Sequence, residues 1–233
     1  MSHPRIMGLV QAGFIAGLLV AGTAFAQGAA PAAAGKPAAV DTSGPSQVIE
    51  SSANIMLAGI DSRREEFRKD PTGLYELVSE TLLPHFDTPF AAGRVLGQHW
   101  RKATADQRKR FIDAFYESLL YTYGDAMVDF TADRLKVFPT KVDAAATDAT
   151  VRTQIKRSDG TRVDVNYRMH KVDGAWKAWD VVIDNISYVK SYRDDYSAQI
   201  QQQGIEAVIK RLEDRATEAK ARSGKGGAAK AKS

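Results

Sequence analysis

The chain has 233 residues, no cysteine, and a formal charge of +4 from 32 Lys and Arg against 28 Asp and Glu, a length that suits a single domain. Forty-four per cent apolar and 26 per cent charged residues are ordinary globular values, which excludes wholesale disorder and a polytopic membrane protein. The missing cysteine removes disulfide scaffolds, thiolate-bound zinc, iron–sulfur clusters, thiol nucleophiles and an acylated lipoprotein cysteine together, whereas a pI near 9.2 leaves a nucleic-acid or anionic-membrane partner to be tested.

Residues 1–26 carry the three-part pattern of a secretory signal peptide: Arg5, an uncharged run from Ile6 to Phe25, and a small-x-small site at Ala24-Phe25-Ala26. Gln11 and the glycines at 8, 13, 17 and 22 make that run a weak spanning segment, so cleavage and export are expected. Residues 27–44 are Ala, Pro and Gly of low complexity and read as a flexible leader, unable to bury enough apolar surface to offset chain entropy.

The folded domain is expected over residues 45–214. Ser46 is a candidate N-cap for a first helix whose apolar face is Val48, Ile49, Ile55, Met56 and Ile60 and which stops at Asp70-Pro71. A second helix (Leu74, Leu77, Val78, Leu82) ends near Pro84, and a third (Phe90, Val95, Leu96) follows Thr88-Pro89. Thr104 and Gln107 form a capping box before a strongly periodic helix. Its apolar stripe, Phe111, Ile112, Phe115, Tyr116, Leu119, Leu120 and Tyr123, is wide and unusually aromatic.

After Gly124 the apolar period shortens from about 3.6 to 2. Val151, Thr153 and Ile155 alternate with polar residues, as do Val163, Val165, Tyr167 and Met169, and turns at Asp159-Gly160 and Asp173-Gly174 lead into Trp176–Ile183. That predicts an antiparallel meander with one covered face. A last helix, from about Tyr192 to Asp214, is interrupted near Gly204. The fold class is therefore α+β, a twisted antiparallel sheet packed by helices. Residues 215–233, with six basic residues and one acid, are expected to be a disordered, solvated tail.

No G-x-S-x-G elbow, H-E-x-x-H helix, P-loop or G-x-G-x-x-G turn occurs, so no catalytic residue, metal ligand or cofactor is assigned and the protein is expected not to be an enzyme. The histidines beyond the leader, His85, His99 and His170, lack metal-ligand spacing, and an Asp87–His85 acid–base pair sits in a proline-bounded turn. Without the signal peptide and tail, residues 27–214 hold 25 basic and 27 acidic residues. The basic pI thus belongs to the tail, which lacks the aromatics that stack nucleic-acid bases, and no nucleic-acid partner is expected.

Specific segments then carry a resemblance: Leu82-Leu83-Pro84-His85-Phe86-Asp87, Val95-Leu96-Gly97, Trp100-Arg101-Lys102-Ala103-Thr104 with Gln107-Arg108, and further on Val165-Asn166-Tyr167, Trp176–Val181, Ile186-Ser187, Tyr192-Arg193 and Gly204-Ile205. In order and spacing these resemble the toluene-tolerance (MlaC) family of periplasmic phospholipid-binding proteins, over about Ser46 to Leu212. Asn185 stands where the family often has Gly, a substitution that a left-handed turn tolerates.

The resemblance implies a twisted sheet and helices enclosing an apolar lipid pocket, related to the NTF2-like shape. It also implies a soluble carrier in the periplasm of a Gram-negative bacterium, moving phospholipid cargo between membranes to maintain outer-membrane lipid asymmetry. The partners it implies are an outer-membrane lipoprotein–porin complex and an inner-membrane ABC transporter complex with an MCE-domain protein.

The expected lining is Leu96, Trp100, Phe111, Phe115, Leu119, Tyr123, Val151, Val163, Val165, Tyr167, Trp179, Val181 and Ile186, each of which could instead be filled core. Arg94, Arg101 and Arg193 are candidates for headgroup or partner contact. The alternatives are a hopanoid-binding paralogue, a structural adaptor with a full interior, or an NTF2-like enzyme with Asp180 as base near Tyr167.

Overall fold

The computed structural model describes residues 39–131, 134–157 and 159–230. The signal-peptide reading, and the leader up to residue 38, lie outside these. Among the described residues seven α-helices and five strands follow in the order α1 (Pro45–Lys69), α2 (Thr72–Thr81), α3 (Thr88–Leu96), α4 (Gln98–Lys102), α5 (Ala105–Met127), β1 (Leu135–Val137), β2 (Asp148–Lys156), β3 (Arg162–Val172), β4 (Ala175–Ile183), β5 (Ile186–Ser187), α6 (Tyr188–Gln203) and α7 (Ile205–Lys230), with a 3-10 turn at Leu83–His85 between α2 and α3. The strands form one antiparallel sheet in chain order. The class is α+β, as the change of period requires.

Local chemistry explains most boundaries. At α5 the capping box forms as read: the Gln107 amide N–H donates to Thr104 Oγ1 at 3.1 Å and the Thr104 N–H to Gln107 Oε1 at 3.1 Å. We expect Thr104→Ala to lower stability by about 1 kcal/mol, read as a small fall in the melting midpoint; an unchanged midpoint would show that the cap is dispensable. The first helix differs from expectation. Its N-cap is Gly44 with Pro45 at the first position, and Ser46 is a buried helical residue whose hydroxyl instead accepts the Thr140 N–H at 3.4 Å. Proline supplies a preset φ there without losing a needed donor.

Two glycines divide the helical segments. Gly97 (φ +53°) separates α3 from α4, and Gly204 (φ +82°) separates α6 from α7, conformations that a Cβ would strain. The helix expected to stop at Asp214 continues to Lys230, and Ala216 is buried. Ala, Glu, Lys and Arg dominate this stretch and are among the strongest helix formers, so nothing local ends the helix where the charge pattern changes.

At the far end of α5 the chain is held by α1. The Arg64 guanidinium donates to the carbonyls of Val128 and, at 2.9 Å, Phe130, while Arg68 pairs with Asp129 at 2.8 Å. At its near end Arg110 joins α5 to α7 through Glu206 at 2.6 Å and Glu213 at 2.8 Å. The aromatic helix is thereby tied at both ends to different neighbours.

Candidate functional site

Strand register determines which side chains share a face. Val151, Tyr167 and Val181 lie opposite one another across β2, β3 and β4, as do Thr153, Val165 and Ile183, and Ile155 is opposite Val163. This is the inner face. Thr153 is the buried polar residue in it, and its hydroxyl is satisfied by the Val165 carbonyl at 2.7 Å.

The buried apolar residues do not form one continuous mass. A helical cluster joins α3, α5, α6 and α7 around Leu96, Phe111, Phe115, Tyr196 and Ile209. A second packs α1 on α2 around Met56, Ile60, Phe67 and Leu74. The third sets Val48 of α1 on one end of the sheet, against Val151, Met169, Trp176 and Ala178. Val163, Val165, Val181 and Ile183 join none of the three. Of this central strip, Val163 and Val165 are buried and Val181 and Ile183 half buried. Tyr123 on α5 and Ile186 on β5 are 39% and 52% exposed. Apolar surface left open in this way is expensive in water, about 25 cal/mol per Å2, and a folded chain keeps it where something else covers it.

An aromatic seam runs between α5 and α6. Phe111, Phe115, Leu119 and Tyr123 recur every fourth residue on α5, facing Ile200, Tyr196, Tyr192 and Tyr188 on α6. Phe115 meets Tyr192 and Tyr196 edge-on at 5.2 and 5.9 Å, and Tyr188 lies 6.5 Å from Tyr123 and 6.3 Å from Tyr192. The hydroxyls of Tyr123 and Tyr192 are 3.0 Å apart. Burial pushes the Tyr192 and Tyr196 phenols well above the usual tyrosine range, and the hydrogen bond with Tyr123 adds to this at Tyr192. Burial raises Tyr188 as well.

The sequence-predicted residues are not all brought together. Val163, Val165, Tyr167 and Val181 share the inner face, and Tyr123 and Ile186 are exposed. Leu119 and Trp100 are half-buried against the helical cluster, Phe115 within it. Leu96, Phe111 and Val151 are 1%, 0% and 0% exposed inside the packed clusters, and Val163 and Val165, outside them, are buried too at 7% and 4%.

Trp179 is placed on the opposite face from Val181. A β-bulge at Arg168/Met169 sets Arg168 opposite Asp180 and Met169 opposite Ala178, leaving Trp179 without a partner. Its indole meets Phe90 edge-on at 5.5 Å and lies under the Arg94 and Arg168 guanidiniums, each at 5.9 Å. One extra residue reverses the alternation, which simple period-2 reading does not anticipate.

The three arginines are also dispersed. Arg94 lies on that outer face over Phe90 at 4.9 Å; Arg101 is exposed on α4; the Arg193 stem runs along Gly97, with its guanidinium 3.6 Å from Asp194. Ile183, Tyr188 and Tyr192 escaped the sequence reading of the site. The four-residue spacing of Tyr188, Tyr192 and Tyr196 was the available signal, hidden because the helix was started at Tyr192 rather than Tyr188.

The two acid–base pairs considered from sequence are both structural in geometry. Asp180 faces outward and Tyr167 inward. Asp180 accepts the Ser187 hydroxyl at 2.7 Å and the Val189 N–H at 3.0 Å, and pairs with Arg168 at 3.3 Å. Asp87 caps α3 through the Phe90 N–H at 3.0 Å and meets His170 at 2.9 Å. Among the described residues no cluster of His, Asp and Glu could hold a metal ion, and no helix is long and apolar enough to cross a membrane.

Comparison with known proteins agrees with this architecture. The family described as MlaC protein matches residues 50–214. Toluene tolerance protein ttg2D of Pseudomonas putida is 26% identical over 161 residues, 69% of this chain and 74% of that protein. The intermembrane phospholipid transport system binding protein MlaC of Haemophilus influenzae is 22% identical over 183 residues, 77% of this chain and 86% of its own. A solved structure, the phospholipid-binding protein from Ralstonia solanacearum in complex with a phospholipid, superposes with a TM-score of 0.68 at 22% identity, covering 75% of this chain and 98% of that one.

Proposed function

The chain belongs to the MlaC protein family, and from that premise we propose that it is a soluble periplasmic carrier of phospholipids. The observation that carries the reading is the divided core: the central strip of Val163, Val165, Val181 and Ile183 packs into none of the three clusters. The phospholipid-transport role named for the Haemophilus relative and the lipid in the Ralstonia structure support the same reading.

The physics of the cargo explains why such a strip is useful. Burying a methylene is worth about 0.8 kcal/mol, so an acyl chain of about 16 carbons carries on the order of 12 kcal/mol against exposure to water. A carrier needs an apolar surface of comparable worth, open at one end so that the headgroup stays wet. It needs no catalytic group. With no P-loop in the sequence, direction is set by its partners. We assign these as an inner-membrane ABC transporter complex with an MCE-domain protein and an outer-membrane lipoprotein–porin complex. The lining is the central strip with Tyr167, bordered by Leu119, Tyr123 and Ile186.

Mass spectrometry of the organic extract of gently purified protein tests the proposal. Stoichiometric diacyl phospholipid is the expected result. Hopanoid in its place would move the chain to a polycyclic-lipid carrier, and an empty extract from a monodisperse sample would overturn both.

A further inference from the structure

The inner face of β2, β3 and β4 carries two hydroxyls, Thr153 and Tyr167, and only the first is used within the sheet. Thr153 donates to the Val165 carbonyl at 2.7 Å. Tyr167 lies opposite Val151 on one side and Val181 on the other, two residues along β3 from Val165. Its hydroxyl has no hydrogen-bond partner among the described residues. The side chain packs against the cluster that α1 forms with the sheet and is half-buried. Burial pushes its phenol up from the ordinary tyrosine value, with neither a charge nor a hydrogen bond contributing. A donor is thus withdrawn from water and left unused in the face that the carrier reading gives to the lipid tails. We infer that the Tyr167 hydroxyl donates a hydrogen bond to an acyl ester carbonyl of the cargo lipid, so that this position reads ester-linked chains. The inference rests on the carrier reading and names the linkage chemistry that the pocket recognises.

Three features support it. Buried donors are nearly always paired in folded proteins, and an unpaired one is costly, so an O–H standing in an apolar wall calls for an acceptor from the ligand. Hydrocarbon tails offer none. The acceptors nearest to them in a diacyl lipid are the neutral carbonyls that join each chain to glycerol, whereas the phosphate beyond carries a charge that is expensive to take out of water. The neighbours of Tyr167 on its own face, Val151, Val165 and Val181, are apolar, so their side chains supply no competing acceptor and no second donor. The phenol also stays protonated, because burial raises it and no cation among the described residues lowers it. A neutral donor in an apolar wall suits a neutral carbonyl, and an ether linkage in the same place would leave it unpaired.

The test compares two lipids that differ only in that linkage. The full chain is incubated with vesicles of phosphatidylglycerol, half dipalmitoyl ester and half dihexadecyl ether, then re-isolated, extracted and analysed by mass spectrometry. Wild type should retain the ester lipid about fivefold over the ether lipid, the equivalent of one net neutral hydrogen bond. Tyr167→Phe keeps the ring and removes the donor, so its uptake of ether lipid should stay at or above the wild-type level while the ester preference disappears. Freed of lipid, Tyr167→Phe should melt no lower than wild type, since no hydrogen bond within the protein is lost; a lower midpoint would reveal a structural partner for the hydroxyl and overturn the inference. Equal retention of the two lipids by wild type would show that the hydroxyl meets a trapped water or nothing. A preference that persists in Tyr167→Phe would place the ester reader elsewhere, and an equal loss of both lipids in the variant would show that the hydroxyl only maintains the shape of the pocket. Each of these three results overturns the inference and leaves the carrier reading intact. A wild type that takes up neither lipid removes the carrier reading and the inference with it.

Discussion

Asp180→Ala lowers the stability of the fold by about 3 kcal/mol and the melting midpoint by roughly 6–12 °C, taking about 2–4 °C per kcal/mol for a domain of this size. The carboxylate is fully enclosed, 0% exposed. It accepts the Ser187 hydroxyl at 2.7 Å and the Val189 N–H at 3.0 Å. Ser187 in turn accepts the Lys190 N–H at 3.1 Å as the α6 N-cap, so one acid from β4 completes the cap of the next helix. Alanine leaves the Val189 N–H and the Ser187 hydroxyl without their acceptor in a water-poor site, the most expensive form of a lost hydrogen bond. Asp180→Asn keeps an acceptor and should recover part of the loss. A midpoint within about 2 °C of wild type for the alanine variant would show that water supplies the lost acceptor and that the cap is not what holds α6.

Val165→Trp empties the protein of lipid while leaving it folded. Val165 is at the centre of β3, opposite Thr153 and Ile183 on the inner face, and belongs to none of the three packed clusters. An indole projecting from that position occupies the volume a tail would take, and bound phospholipid per protein should fall about tenfold or more, a loss of at least 1.4 kcal/mol of binding. The same substitution distinguishes a filled interior. In a close-packed core the extra ring forces off-rotamer neighbours at a cost of about 1–3 kcal/mol or more, which would appear as a depressed melting midpoint. Lipid phosphorus and a thermal melt on one sample separate the cases. A stable variant with wild-type lipid content would remove Val165 from the lining.

The fold class was legible because period carries it. The change from the α5 stripe to alternation at Val151, Thr153 and Ile155, with Asp-Gly turns between strands, is sufficient for helices packed on an antiparallel meander. Capping at Thr104 and the break at Gly204 were equally local, since each depends on neighbours a few residues away. Asn185, standing where the resembling family often has Gly, does adopt a left-handed conformation, φ +66°, next to Asp184 at +47°. The start of α6 was misplaced because its cap is long-range: Ser187 alone is a weak signal, and Asp180 reaches it only once β4 and β5 are paired.

The site was legible in kind but not in membership. Sequence alone determined that this is one α+β domain without cysteine chemistry, that its folded part is nearly neutral while its basic excess is C-terminal, and that its apolar residues lie on one sheet face and a wide aromatic helix. Only the tertiary structure decided which of them are enclosed. Phe111 and Tyr123 occupy the same stripe on α5, twelve residues apart, yet one is enclosed by α6 and α7 and the other is exposed. Trp179 and Val181 are two residues apart on β4, yet the bulge sends them to opposite faces. The reason is physical. Periodicity records that a side chain turns away from water, an average over one element, whereas a hollow is defined by the absence of atoms from several elements at once.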